Sequence, residues 1–331
     1  MRLTCLINCY NYANYVGEAI ESALAQTRGF DQILIVDDGS TDGCVALIEQ
    51  QYGDHPRIEL IAKPNGGQLS CFNTALDSIT GDVVCFLDAD DTFDKSHAES
   101  VSNLFMVRPE VDFLSVSYRA FGAQKPHRIR RHPTRDRGIS AVSAVFANAW
   151  NGNPTSCLSI RRELLAKILP YPDEASWKTR ADDVLIFAAS ILGGHKYHLD
   201  QASVNYRLHD TNHHAGQAHS QAQKCQYGLI VNAMIHWYVK KMGYNLQTLG
   251  MLAAREFRTW ERPSWKEFVG QARLTARAKL PWSVRIDQTA SMLFHYWKER
   301  RRSAPDSSVE VRSSQNSLPS TVMHSSATKP A

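Results

Sequence analysis

The chain is predicted to be an α/β protein with a mostly parallel central sheet flanked by helices, followed by a C-terminal helical extension. Three observations predict this. Short β-branched and apolar runs recur at about residues 2–8, 32–36, 58–62 and 83–87, and such runs are buried parallel strands. Stretches with helical apolar spacing separate them, an order that builds a sheet covered on both faces. Two of the runs end in acids, Asp37-Asp38-Gly39-Ser40-Thr41-Asp42 and Asp88-Ala89-Asp90-Asp91. Carboxylates there sit at the carboxyl edge of an open sheet, where ligands bind.

The elements follow in order. After the first strand, Val16, Ala19, Ile20, Ala23 and Leu24 make one helical face, with Asn14 as its cap. After the second strand, Ser40 or Thr41 caps a helix bearing Leu47 and Ile48. Pro64-Asn65-Gly66-Gly67 is a turn, and Leu69, Phe72, Leu76 and Ile79 mark the helix behind it. Beyond the fourth strand the pattern predicts helices near 96–107, 139–149, 161–169 and 182–192. Strands are expected near 111–118 and 155–160 and at Val204–His209. From Arg255 to Arg302 there are 12 Lys/Arg against 5 Asp/Glu, and the pattern is helical. Residues 303–331, rich in Ser and poor in apolar residues, are expected to be disordered.

With 331 residues and 43% hydrophobic content the chain can bury a large core. A net charge of +4 does not by itself imply a nucleic-acid partner. Seven cysteines without a C-x-x-C argue against a zinc or redox pair and for a reducing compartment. The longest apolar stretch, Val184 to Gly194, is far short of the ~20 residues of a membrane span. A cytoplasmic protein is expected, with peripheral membrane contact left open.

Asp88-Ala89-Asp90 brings two carboxylates into one strand-end turn, where hard oxygens suit a divalent cation and the diphosphate it holds. A D-x-D taken alone is most simply a capping turn; here it follows a strand and has Asp37 as companion. A carboxylate at Asp37 can accept a hydrogen bond from the imide of uracil or from ribose. Asp42 fits the support of a helix N-terminus.

These strings, together with Cys9-Tyr10-Asn11 and Glu18-Ala19-Ile20-Glu21-Ser22-Ala23-Leu24-Ala25-Gln26-Thr27, resemble the family 2 glycosyltransferases over residues 1–92. The resemblance implies a GT-A fold and inverting transfer from a nucleotide diphosphate sugar, usually a UDP-sugar, to a saccharide or lipid-linked acceptor. It implies a divalent metal, Mn²⁺ or Mg²⁺. By the same likeness residues 1–92 are the nucleotide-sugar half, 93–215 the acceptor half and 216–302 a basic extension outside the family. Cys9, Tyr10, Asn11, Asp37, Asn65 and Asp88 would bind the nucleotide; Asp90, Asp88 and His209 would hold the metal. The family's Glu-Asp pair maps to Asp182-Asp183, with Asp183 as base and Asp182 its neighbour; acids that merely begin a helix are the plainer reading. Phe72 stands where the family often has Arg, and Asn73 fits an amide bonding to backbone. Trp177 suits either a sugar-stacking or a core role.

Two further readings stay open. Leu87-Asp88-Ala89-Asp90-Asp91-Thr92 also spells the D-x-D-x-T of haloacid dehalogenase-type phosphohydrolases, although that motif normally lies on a first strand. A non-catalytic nucleotide-sugar binder is the other. The G-x-G-T-R loop of nucleotidylyltransferases is absent, as is the Q-x-x-R-W of processive synthases, so transfer of one or a few residues is expected. The basic stretch Arg119–Arg137, with Lys125, Arg128, Arg130 and Arg131 at its centre, suits an anionic acceptor. His213, His214 and His219 have no site-like spacing. Trp282, Ile286, Ala290, Leu293 and Trp297 lie near one helical face, before Lys298 and Arg300-Arg301-Arg302. That pattern fits a membrane-surface helix or a helix packed on the catalytic domain.

Overall fold

The computed structural model describes residues 1–122, 132–209 and 220–302. Four strands, β1 (Leu3–Cys9), β2 (Gln32–Asp37), β3 (Ile58–Ala62) and β4 (Val83–Asp88), alternate with α1 (Val16–Leu24), α2 (Cys44–Tyr52) and α3 (Gln68–Ala75). They pair in parallel in the order β3-β2-β1-β4. β5 (Thr92–Phe93), α4 (His97–Val107), β6 (Phe113–Gly122), β7 (Arg135–Gly138) and α5 (Ala141–Ala147) follow. Then come β8 (Leu158–Arg161), α6 (Arg162–Ile168), α7 (Ala181–Ile191) and β9 (Lys196–Leu208). This half extends the sheet as β4-β8-β6-β9-β5, with β7 on β9. Its pairings are antiparallel except β6 with β9.

One core lies under α1, α2 and α4, built on alternate residues such as Ile7, Ile35 and Leu87. The opposite core lies under α3, α6 and α7 and takes Leu6, Leu34 and Phe86 from the same strands. Period-two alternation thus feeds two hydrophobic layers, which is why these strands read as continuous apolar runs.

The departures from expectation have local causes. α1 starts at Val16 with no side-chain cap, so Asn14 does not cap it. α2 starts at Cys44, not beside Ser40 or Thr41. Asp42 Oδ1 accepts the Cys44 N–H at 3.1 Å, while Ser40 Oγ accepts the Asn11 N–H at 2.8 Å. Residues Thr155–Cys157 form a 3₁₀ turn ahead of β8. β9 begins at Lys196, well before Val204, because its first residues are polar and hide the strand pattern. Lys196 is nevertheless buried: its Nζ donates to Ile186 O at 2.7 Å and lies over the Phe113 ring. Burial holds that ammonium well below its usual range.

The extension comprises α8 (Gln221–Lys241), α9 (Leu246–Leu249), α10 (Ala253–Phe257), α11 (Trp265–Arg277) and α12 (Trp282–Arg301), within one compact unit, Met1–Arg301. Ser220 and Ser264 open α8 and α11 with capping boxes. Among the described residues no helix is long and apolar enough to cross a membrane. The extension is pinned by buried charge. Glu256 accepts from Val142 N at 2.5 Å, Ser143 N at 2.9 Å and Gln271 Nε2 at 3.0 Å. Arg135 forks onto Glu267 at 2.5 and 3.1 Å.

Glu256→Ala leaves two buried N–H groups unpaired and should lower unfolding stability by about 2–3 kcal/mol in urea titration. Burial pushes the Glu256 carboxyl up to about 7. Between about pH 4.3 and that value the folded chain keeps a proton that the unfolded chain has released. Its contribution to stability therefore falls as pH rises through this window, and Glu256→Gln should flatten that slope.

Candidate active site

The register Cys9↔Asp37 and Asn8↔Asp88 ends β1, β2 and β4 at one level. A cavity of about 540 Å³ opens there. Asn8, Cys9, Tyr10 and Tyr12 line it from the end of β1 and the loop beyond. Asp38 and Asn65 come from the ends of β2 and β3, and Asp88 and Asp90 from the end of β4. Lys178, Arg180 and Asp182, at the start of α7, close the far side.

Each pair of adjacent acids splits in two. Asp37 is fully buried and its Oδ1 accepts the N–H groups of Gly39 and Ser40 at 3.1 and 2.8 Å; Asp38 lines the cavity. Asp91 is buried and accepts from Ser156 Oγ at 2.6 Å and Arg207 N at 2.8 Å; Asp90 lines the cavity. Asp183 is 1% exposed. It accepts from Trp150 Nε1 at 2.5 Å, from Arg180 at 3.0 Å and from the Tyr227 hydroxyl. Asp182 lines the cavity. Thus Asp37 and Asp183, expected at the ligand, face inward, and their sequence neighbours face the space.

Charge is crowded here. Burial, with the charges of Asp183 and Asp88, pushes the Asp182 carboxyl well above its usual range. Burial and the Asp90 charge push Asp88 up as well, and burial with Asp90 and Asp88 does so for Asp91. His209 joins this group from just beyond β9: its Nε2 lies 2.9 Å from Asp90 Oδ2, and its ring stacks on Tyr15 at 5.2 Å. The Asp90 carboxylate and the His209 imidazole in contact, with Asp88 on the same cavity, offer donor types that suit Mn²⁺ or Mg²⁺. Cys9, Asp37 and Cys44 are the set among the described residues whose candidate ligand atoms all lie within 4.8 Å of one another. The Cys44 contact and burial push the Cys9 thiol up, and two soft sulfurs 2.9 Å apart are poor partners for a hard cation.

Two functional residues lacked a sequence signal. Gln68 Nε2 donates to Asp88 Oδ1 at 2.9 Å and Thr155 Oγ1 at 3.2 Å, while its Oε1 accepts the Ala181 N–H at 2.9 Å. A neutral residue opening a helix has no pattern to betray this bridge between the D-x-D and α7. Lys178 was equally silent; its carbonyl accepts the Gln68 N–H at 2.9 Å. Gly67 permits that approach: its φ is +92°, and a Cβ there would lie 2.3 Å from Lys178 Cα.

The remaining expectations are placed as follows. Asn11 lies outside the cavity lining, and its Oδ1 accepts the Thr41 N–H at 2.8 Å. Asn73 bonds the Tyr171 backbone through both amide atoms, at 2.9 and 3.1 Å. Phe72 fills the core against Phe86, and Trp177 is a core residue. Arg119 pairs with Asp94, and Arg135 with Glu267. Lys125, Arg128, Arg130, Arg131, His213, His214, His219 and the tail 303–331 lie outside the described residues.

The description "Glycosyl transferase family 2" matches residues 4–169. An uncharacterized glycosyltransferase of Nostoc sp. is 33% identical over 285 residues, covering 83% of this chain and 88% of the relative. The chain belongs to glycosyl transferase family 2. A chondroitin synthase of Pasteurella multocida is 39% identical over 93 residues, 28% of this chain but only 10% of that protein. Among solved structures, S. aureus TarS 1–349 in complex with UDP superposes with a TM-score of 0.54 at 16% identity, covering 89% of each chain. The same protein in complex with UDP-GlcNAc gives a TM-score of 0.53 at 17% identity, over 90% of this chain and 73% of that one. The fold is GT-A, and the D-x-D-x-T at the end of β4 belongs to a glycosyltransferase scaffold, not to a phosphohydrolase.

Gly67→Ala drives a methyl into the Lys178 backbone from a left-handed conformation. It should lower stability by about 1–3 kcal/mol in thermal melts, and more than Gly66→Ala, whose added methyl meets side chains, those of Ser70 and Lys63, and no backbone.

Proposed function

We propose that this glycosyltransferase is an inverting, non-processive enzyme that moves a sugar from a UDP-sugar to a hydroxyl of a saccharide or lipid-linked acceptor. One observation carries the reading: Asp88, Asp90 and Asp182 line a single cavity together with Lys178 and Arg180, and His209 contacts Asp90 at 2.9 Å. Acids for a cation, cations for a diphosphate and a further carboxylate for a hydroxyl are what such a transfer needs. UDP as the nucleotide is supported by the ligands named for the TarS complexes.

Asp90 and His209 would hold the metal, with Asp88 beside them. A divalent ion there supplies charge that stabilises the departing diphosphate. Lys178 lends a further positive charge from the opposite wall. Tyr10, half exposed at the mouth, offers a face for the base. Asp88 is oriented by Gln68, which keeps one of its oxygens aimed at the cavity.

Inversion in one displacement requires one base on the acceptor side. Asp182 takes that role: it faces the cavity, and its raised affinity for protons suits a group that must accept one from a hydroxyl. Asp183, held by Trp150, Tyr227 and Arg180, positions the start of α7 instead. Asp182→Asn should lower kcat by about 10²–10⁴-fold with UDP affinity kept. Asp183→Asn should act mainly on stability, by about 1–3 kcal/mol. An inactive but stable Asp183→Asn beside an active Asp182→Asn would reverse the assignment.

Calorimetry of UDP binding with and without Mn²⁺, on wild type and Asp90→Ala, tests the donor site. The expected result is binding that needs the metal and is lost in the variant. Metal-dependent binding with neither transfer nor hydrolysis across UDP-sugars would instead mark a non-catalytic binder. No UDP binding in any condition would overturn the choice of nucleotide.

A further inference from the structure

We infer that α12 and the start of α11 form a docking surface for an anionic lipid bilayer. α12 packs inward through Met292, Tyr296 and Glu299, which join the small core of Phe257, Trp260 and Phe268. At 100° per residue, Ile286, Phe294 and Trp297 turn away from that core, and Trp282 and Leu293 lie on its flank. Their exposures are high for such residues: Trp282 75%, Phe294 72%, Ile286 61% and Trp297 52%. Trp265, 55% exposed, adds to them where it meets Tyr296 edge-on at 5.5 Å. One side of the helix thus packs on α10 and α11 of the extension, and the apolar row stays exposed.

Charge identifies the occupant. Arg277 and Lys279 are exposed just before the row, and Lys298, Arg300 and Arg301 at its end. Among the acids of residues 264–302, Glu267 pairs with Arg135 and Glu299 is buried, so Asp287 is the exposed one. Indoles at both ends of an apolar row, flanked by ammonium and guanidinium groups, match the interface of a membrane with negatively charged head groups. A second copy of the chain is a poorer fit, because a two-fold contact would set each basic rim against its own image. The inference does not depend on the donor or the base proposed above, since its readout is membrane binding alone.

Co-sedimentation of the full chain with phosphatidylcholine vesicles, with and without phosphatidylglycerol, tests it. Partitioning onto anionic vesicles should exceed that onto neutral ones by at least about tenfold and should fall with salt. The combined variant Trp282→Ser, Ile286→Ser, Phe294→Ser, Trp297→Ser should lose about tenfold or more of that binding. Its thermal melt should match wild type, because none of the four is buried. Lys298→Glu with Arg300→Glu and Arg301→Glu should remove the salt-sensitive part. Equal vesicle binding by the fourfold Ser variant would overturn the proposal, as would a wild-type chain that ignores all vesicles and sediments as a dimer.

Discussion

Asp88, Asp90, Asp91 and Asp182 stand together at the end of a hydrophobic sheet, and like charges in a partly desolvated space repel. Three of the four come from the end of β4 and the turn after it, and the fourth opens α7 on the same cavity. The fold answers part of this repulsion with hydrogen bonds: Asp91 is satisfied by Ser156 and the Arg207 backbone, and Asp38 by Lys63, Gly66 and Gly67. The Asp90 side chain has His209 for company, and Asp88 has Gln68. What is left over is negative potential focused into one cavity, which favours a cation far more than any neutral ligand. The proposed chemistry is a use of that imbalance.

The doubled acids show how one sequence feature serves two purposes. At a strand end, successive side chains point to opposite sides, so Asp37 and Asp38 cannot share an environment. In the first turn of a helix, Asp182 and Asp183 are about 100° apart and divide in the same way. The inward member of each pair is spent on protein partners, and the other reaches the cavity, Asp38 while also accepting from Lys63, Gly66 and Gly67. Without Asp37 the turn beside it would lose the acceptor of the Gly39 and Ser40 N–H groups. That dependence ties local folding to the electrostatics of the site.

This division also explains what could be read in advance. The strand runs and the acids that end them were legible because burial and charge leave period and composition behind; the place of His209 beside Asp90 was expected from the family resemblance alone. Which acid of a pair faces the ligand was not, since the choice depends on the backbone turn that follows, as at Gly39 with its φ of +77°. Gln68 and Lys178 act through geometry between distant segments and leave no local trace. The start of β9 was hidden because Lys196 and His198, though buried, look like surface residues. β5, of two residues, is too short to show any period.

The extension obeys the opposite logic from the site. At the site, charge is left unbalanced; between the extension and the catalytic domain it is neutralised in place. Arg135 and Glu267 join β7 to α11 by a forked pair, Trp260 Nε1 donates to Ile139 O at 2.6 Å, and Glu256 gathers the first N–H groups of α5. Such contacts are directional and buried, so they fix orientation more firmly than apolar packing alone. A helix that merely needed to hide its apolar surface would have turned Trp282, Ile286 and Trp297 toward Phe257. Instead α12 is held through Ser291, which accepts from Arg258 at 3.1 Å, and His295, whose Nε2 lies 2.9 Å from Trp260 O, while Trp282, Ile286 and Trp297 stay exposed, which is the feature the proposed lipid contact uses.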